Sequence, residues 1–237
     1  MPETNYLNYQ ISYLNHEEFS DLKREIFTYQ IYYFESDTAK PIIIDGGAHI
    51  GLSSLYFKHL YPQARILAFE PNPTTFTLLE KNVQQNHLEE ITLYQKALSQ
   101  HNGQANFFAD KTDWQWLSTS SFIENAWNGQ QKIQSPITVE TTRLDQYLAA
   151  LPRIDLLKLD IEGAETSVIM SIRDQLEKIQ NLIFEFHPTK NQNLSQLLSF
   201  LNKRGFSTSL HDRQGKTLKV FHQQELIIVQ AQRESAK

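Results

Sequence analysis

The 237-residue chain contains no cysteine. That absence removes disulfides, thiolate metal sites and thiol nucleophiles together, so any chemistry here must use oxygen and nitrogen groups. Cations are also in short supply: 22 Lys and Arg face 27 Asp and Glu, a formal net charge of −5. Binding a polyanion requires an excess of cations to neutralise phosphates, so nucleic acid is not an expected partner. No apolar run reaches the length of a bilayer span, and the first thirty residues lack the basic start and apolar core of a signal peptide. The expectation is a soluble, cytoplasmic protein with no membrane partner. Repeats, low-complexity tracts and linker-like stretches are missing too, which leaves one domain as the default.

What the chain does have is a 40% hydrophobic content, enough to bury one core of that size. Apolar runs of strand length, rich in Ile, Leu and Phe and with little alternation, recur at 41–45, 65–70, 91–98, 154–160 and 182–186. Strands covered on both faces have this composition. Helical patterns at 51–60, 73–86, 164–179 and 191–203 lie between several of them, so the order is β-α-β-α, an open α/β sheet with right-handed crossovers. Past Gly205, which ends the last helical pattern, "FSTSLHD", a turn at "RQGK", then "LKVF" and "ELIIVQAQ" follow without a helix and predict an antiparallel pair at one edge. Residues 1–40 read as a cap: "HEEFSDLKREIF" makes an amphipathic helix with Phe19, Leu22 and Phe27 on one side, and "YQIYYFE" a short strand.

The first run ends in "PIIIDGGAHIG" and passes through glycines into a helix. Such a bend gathers backbone N–H groups and the positive helix end at one point, where something polar or anionic binds. A dinucleotide fingerprint would need G-x-G-x-x-G, but Ala48 stands where its middle glycine belongs. What fits is D-x-G-x-x-x-G, made by Asp45, Gly47 and Gly51, which resembles the first motif of class I S-adenosylmethionine-dependent methyltransferases. Gly46 and Gly47 permit close approach of an amino-acid moiety, and Asp45 is expected to answer its ammonium group directly or through water. The second strand ends in "FEPNP", where Glu70 follows at the interval from which an acid reaches ribose hydroxyls; Pro71 and Asn72 open the next helix and fix it at the carboxyl edge of the sheet. Ala97 and Ser99, beyond the third strand, are candidate adenine contacts.

A second constellation, "IDLLKLDIEGAE", crowds Lys158, Asp160, Glu162 and Glu165 around the end of the fourth strand. Carboxylates at that density repel one another, which points to use rather than stability, although Glu165 also suits the N-terminal dipole of the following helix. In the order "DGGAHIG", "FEP", "TRLDQYL", "LLKLDIEGAE" and "FEFH", the chain resembles the FkbM family of methyltransferases over residues 41–187. Gly46 and His49 depart from the aliphatic residue and Asn more often found there.

The resemblance implies a Rossmann-like class I methyltransferase fold, a mostly parallel seven-stranded sheet with an antiparallel edge pair and helices on both faces. It places the methyltransferase domain at 41–237, with a lid-like insertion at 107–138. It implies methyl transfer from S-adenosylmethionine, leaving S-adenosylhomocysteine, to a hydroxyl of a secondary metabolite, other small molecule or glycan. Expected cofactor contacts are Asp45, Gly46, Gly47, Ala48, His49, Gly51, Glu70, Pro71, Asn72, Ala97 and Asp160. An alcohol acceptor calls for a general base: His187, at the end of the fifth strand, is the first candidate and Asp160 its rival. Glu162, Glu185, Trp114 and Trp116 are the expected acceptor contacts, with Trp127 in the same polar segment. Asp160, Glu162 and His187 offer oxygen and nitrogen ligands to a divalent cation, but without a recognisable metal-binding spacing no metal is assigned. Two other readings stay open: methylation of a protein side-chain amide or carboxylate, and a non-catalytic binding protein on the same fold.

Overall fold

The computed structural model describes residues 1–110, 134–188, 192–222 and 226–234. An N-terminal hairpin of β1 (Glu3–Tyr6) and β2 (Tyr9–Ser12) leads into α1 (His16–Lys23), which Asn15 caps by accepting the Glu17 and Glu18 N–H groups. The helix runs on through one π-helical turn, Arg24–Thr28. Then come β3 (Ile42–Gly46), α2 (Leu52–Leu60), β4 (Arg65–Phe69), α3 (Pro73–Gln85) and β5 (Ile91–Tyr94). After them lie β6 (Ala97–Ser99), β7 (Gly103–Asp110), β8 (Gln134–Arg143), α4 (Asp145–Ala149), β9 (Ile154–Leu159), α5 (Glu165–Ser171) and β10 (Ile179–Phe186). The chain closes with α6 (Leu194–Lys203), β11 (Phe206–His211) and β12 (Ile227–Arg233). Among the described residues no helix is long and apolar enough to cross a membrane.

Seven strands form one sheet in the order β11-β12-β10-β9-β3-β4-β5. The pairs β3–β4, β4–β5, β3–β9 and β9–β10 are parallel, and β12 is antiparallel to both neighbours. The expected mostly parallel sheet is therefore present, with one refinement: β12 slots between β10 and β11, so the final strand is internal. The chain winds outward from β3 to β5 on one side and from β9 to β10 on the other. Their junction, between β3 and β9, is the switch point where α/β sheets open a crevice at the carboxyl ends of their strands.

The apolar runs do not alternate with polar residues because both faces are covered. Ile44, Leu157, Phe184 and Val229 belong to one buried cluster with Leu148, Val168 and Leu197 from α4, α5 and α6. Their neighbours Ile43, Leu156, Ile183 and Ile228 belong to the other, with Leu55 of α2, Leu79 of α3 and Phe19, Ile26, Ile31, Tyr32 and Phe34 of the N-terminal segment. Each such side chain taken from water contributes about 1.5–3 kcal/mol.

Three expectations change. The "YQIYYFE" stretch is not a strand: Gln30 turns the chain at a left-handed φ of 54°, and Ile31, Tyr32 and Phe34 use their bulk to cover the sheet rather than to pair with it. The run at 91–98 divides, because the chain turns after Tyr94, whose carbonyl accepts the Lys96 N–H, and β6 joins a second sheet of order β6-β8-β7. The helix expected over 164–179 stops at Ser171 and resumes only as a 3₁₀ turn, Leu176–Lys178. Of the 107–138 segment, the flanks belong to the antiparallel pair β7 and β8. Trp114, Trp116 and Trp127 lie outside the described residues.

Candidate active site

The first motif is clamped from below. Asp45 is fully buried, and its Oδ2 accepts hydrogen bonds from the Ser53 and Ser54 hydroxyls, each at 2.7 Å. Its Oδ1 lies 3.2 Å from Lys158 Nζ, which also donates to the carbonyls of Gly46 (3.1 Å) and Gly47 (2.7 Å). Burial works against the Lys158 charge, but Asp45, Asp160 and Glu185 outweigh it and hold its pKa above the ordinary value. Asp45 thus fixes the bend and the start of α2 from underneath. Gly47 takes φ of 75°, and a Cβ there would sit 1.8 Å from the Asp160 carbonyl oxygen, so no other residue fits. His49 and Glu162 adopt left-handed φ of 51° and 56° without being glycines, strain of the kind that collects at functional sites.

A cavity opens above this bend. Gly47, His49, Glu70, Pro71, Ala97 and Asp160 line it, together with Glu162, Leu22 of α1 and Phe107 of β7. The other expected cofactor residues, Asp45, Gly46, Ala48, Gly51 and Asn72, are not among the lining residues and shape the wall instead. Asn72, for example, caps α3 through its side chain and donates its N–H to Glu70. Helix α1 closes one side, with Glu18 Oε1 3.7 Å from His49 Nε2.

Glu70 is held rigidly. Its Oε1 accepts from Asn72 N and Thr75 Oγ1, and its Oε2 from His49 N, all at 2.9 Å. Burial pushes its pKa up, while His49 and these donors counter part of the rise. An oxygen with one donor retains acceptor capacity, so Oε2 can take a further hydrogen bond from the cavity.

The second constellation gathers at the ends of β9 and β10. His187 is 4% exposed; its Nδ1 lies 3.0 Å from Glu165 Oε1, and its Nε2 lies 3.5 Å from Glu162 Oε2 and 3.9 Å from Asp160 Oδ1. Burial would lower its pKa, but Glu162, Glu165 and Asp160 overcome that and raise it well above the usual histidine value. His187 is not among the residues that line the cavity, so it stands behind Asp160 and Glu162 rather than at the acceptor itself. Glu165 is more than a helix-dipole acid: its carboxylate accepts the Ile161 and Gly163 N–H groups at 3.1 Å and engages His187.

Glu185, buried beneath Asp160, is pushed up to about 7 by burial and by the Asp160 charge. The Tyr32 hydroxyl lies 2.5 Å from Glu185 Oε1 and 3.3 Å from Asp160 Oδ2. Sequence reasoning missed Tyr32 altogether, since nothing in "YQIYYFE" separates this tyrosine from its neighbours. Lys158 had a signal, a lysine inside an apolar strand, but no partner could be named for it.

Residues 45–208 match the Methyltransferase FkbM domain. The chain is 32% identical over 209 residues to Methyltransferase sdnD of Sordaria araneosa, covering 77% of this chain and 80% of that one. It is 30% identical over 155 residues to 2-O-methyltransferase NoeI of Sinorhizobium fredii (strain NBRC 101917 / NGR234), covering 62% of this chain and 63% of that one. The crystal structure of Methyltransferase FkbM from Methylobacillus flagellatus KT superposes with a TM-score of 0.57 at 13% identity, over 87% of this chain and 47% of that chain; it shows a shared fold.

Proposed function

The chain belongs to the FkbM-domain methyltransferases, and on that premise we propose that it moves the methyl group of S-adenosylmethionine to a hydroxyl of a small molecule or glycan. The observation that carries this reading is one cavity lined by both constellations, Glu70 and Gly47 from the ends of β4 and β3, and Asp160 and Glu162 from the end of β9. These strands are neighbours in the order β4-β3-β9, so the two acidic groups stand two strand spacings apart, roughly 10 Å, a distance suited to a nucleoside and its sulfonium arm.

In this arrangement Glu70 Oε2 would accept a ribose hydroxyl, Ala97 would lie against the base, and the bend at Gly47 would admit the methionine moiety. The sulfonium is already activated, so the protein's task is to hold an acceptor in line and keep water out. The Asp160 carboxylate at the cavity wall would accept a hydrogen bond from the acceptor hydroxyl and take up its proton, while Glu162 beside it, whose pKa burial pushes well above the ordinary carboxyl value, would orient the acceptor. Bound in the cavity, S-adenosylmethionine would supply the methyl group, its carbon–sulfur bond giving way to a carbon–oxygen bond with the bonding pair left on sulfur. His187 and Tyr32 act behind these carboxylates as positioning residues. The name of NoeI, a 2-O-methyltransferase, supports a hydroxyl acceptor.

The test is incubation of the protein with S-adenosylmethionine carrying a labelled methyl group and panels of hydroxylated small molecules and oligosaccharides. The expected product carries label in an alkali-stable ether. Label recovered only as an alkali-labile ester, or only on nitrogen, would overturn the hydroxyl assignment. Asp160→Asn is expected to lower kcat on the order of 10²-fold or more.

A further inference from the structure

We propose that Asp160, Glu185 and His187 form a binding site for a divalent cation, Mg²⁺ or Mn²⁺, on the acceptor side of the cavity. One ligand atom from each residue lies within 4.8 Å of the others. The sheet itself assembles them. Leu159 pairs with Phe184 across the parallel β9–β10 ladder, so Asp160 and Glu185, one residue further along each strand, come side by side. His187 follows the last residue of β10, Phe186, and brings a ring nitrogen within 4.8 Å of the Asp160 and Glu185 carboxylates.

The histidine is oriented in the manner of a metal ligand. Its Nδ1 meets the fully buried Glu165 carboxylate at 3.0 Å, and that carboxylate is itself pinned by the Ile161 and Gly163 N–H groups. This fixes the ring so that Nε2 faces Asp160, the geometry by which a carboxylate presents an imidazole nitrogen to a metal. Charge argues the same way. Asp160, Glu162, Glu165 and Glu185 surround one imidazole, and among the described residues the ion-pair contacts of Lys158 and Arg213 are with Asp45 at 3.2 Å and Glu25 at 2.8 Å rather than with this group. Buried carboxylates in such excess are stabilised when a cation joins them. Two oxygen ligands and one nitrogen suit a hard ion that keeps open positions for other oxygens.

For its chemical role, the site rests on the methyl-transfer reading: the ion would draw in the acceptor oxygen and lower the pKa of its hydroxyl, easing release of that proton to solvent.

The decisive experiment titrates metal-stripped full-length protein with Mn²⁺, following loss of the free-ion electron paramagnetic resonance signal, beside a separate calorimetric titration with S-adenosylhomocysteine. The expected result is one saturable Mn²⁺ site per chain, competed by Mg²⁺ and lost in Glu185→Gln and Asp160→Asn. Glu165→Gln, which keeps all three ligands but loosens the ring, should weaken Mn²⁺ binding about 10- to 100-fold. Anomalous diffraction from wild-type crystals soaked in Mn²⁺ locates the ion without relying on any variant to fold, with a peak expected between the three ligands. An absent site, one indifferent to all three substitutions, or a peak elsewhere overturns the proposal. S-adenosylhomocysteine binding without Mn²⁺ binding rejects the metal site alone; Mn²⁺ binding at these residues without S-adenosylhomocysteine binding rejects the cofactor reading alone.

Discussion

Glu70 is the residue on which cofactor recognition turns, and its environment gives it a measurable signature. Its carboxyl pKa is raised from the ordinary 4.5 chiefly by burial. The folded protein therefore holds this proton more tightly than the unfolded chain does. The resulting contribution to stability is complete below 4.5 and is lost as pH rises through the folded value. Ribose hydroxyls donate to the ionised form, so affinity for S-adenosylhomocysteine should climb over the same window, and Glu70→Gln should flatten the climb in a calorimetric pH series. Glu70→Ala should weaken binding by about 1–3 kcal/mol, the cost of losing hydrogen bonds to a charged group. Tyr32→Phe tests the acceptor side: it removes the hydroxyl 2.5 Å from Glu185 without touching the cavity lining. The expected outcome is a several-fold fall in kcat with unchanged S-adenosylhomocysteine affinity, whereas a merely structural tyrosine would lower stability and leave kcat intact.

At the scale of elements, the bend between β3 and α2 depends on β9. Lys158 reaches across the ladder to two carbonyls of the bend and to Asp45, and both members of the Lys158–Asp45 pair are buried. Lys158→Met keeps the length of the side chain but leaves the Asp45 carboxylate without its cation. Removing one partner of a buried pair costs about 3–5 kcal/mol, so the midpoint of urea unfolding should fall accordingly. If the midpoint barely moves, the clamp is not what holds the bend. Helix α1 contributes differently, through Leu22 at the cavity and Glu18 beside His49. This joins the N-terminal segment to the wall of the site, and we propose that it works as part of the catalytic domain rather than as a detachable cap.

For the molecule as a whole, the cavity is built from residues distant in sequence, including Leu22, Glu70, Ala97 and Asp160. A ligand that fills it should therefore stabilise the entire fold. At a concentration one hundred times its Kd, S-adenosylhomocysteine should add about 2.7 kcal/mol, which for a domain of this size raises Tm by roughly 5–10 °C. Differential scanning fluorimetry reads this directly, and an unmoved Tm at saturation would reject the proposed ligand.

The sequence by itself determined the sheet, because strands buried on both faces announce themselves as largely apolar runs: Ile42–Ile44, Leu156–Leu159 with its single Lys158, and Leu182–Phe184 need no partner to be recognised. It also determined the bend at Gly47 and the acid at Glu70, since each is set by chain-local geometry at a strand end. Only the tertiary structure decided which side chains meet. That Asp45 faces Lys158, that Glu165 holds His187, and that Tyr32 reaches Glu185 across 153 residues all depend on strand register and on how the N-terminal segment packs. Charge and proton placement follow from those distances. A linear chain specifies which titratable groups it carries, but their mutual separation, which governs what each one does, comes into being only when the sheet closes.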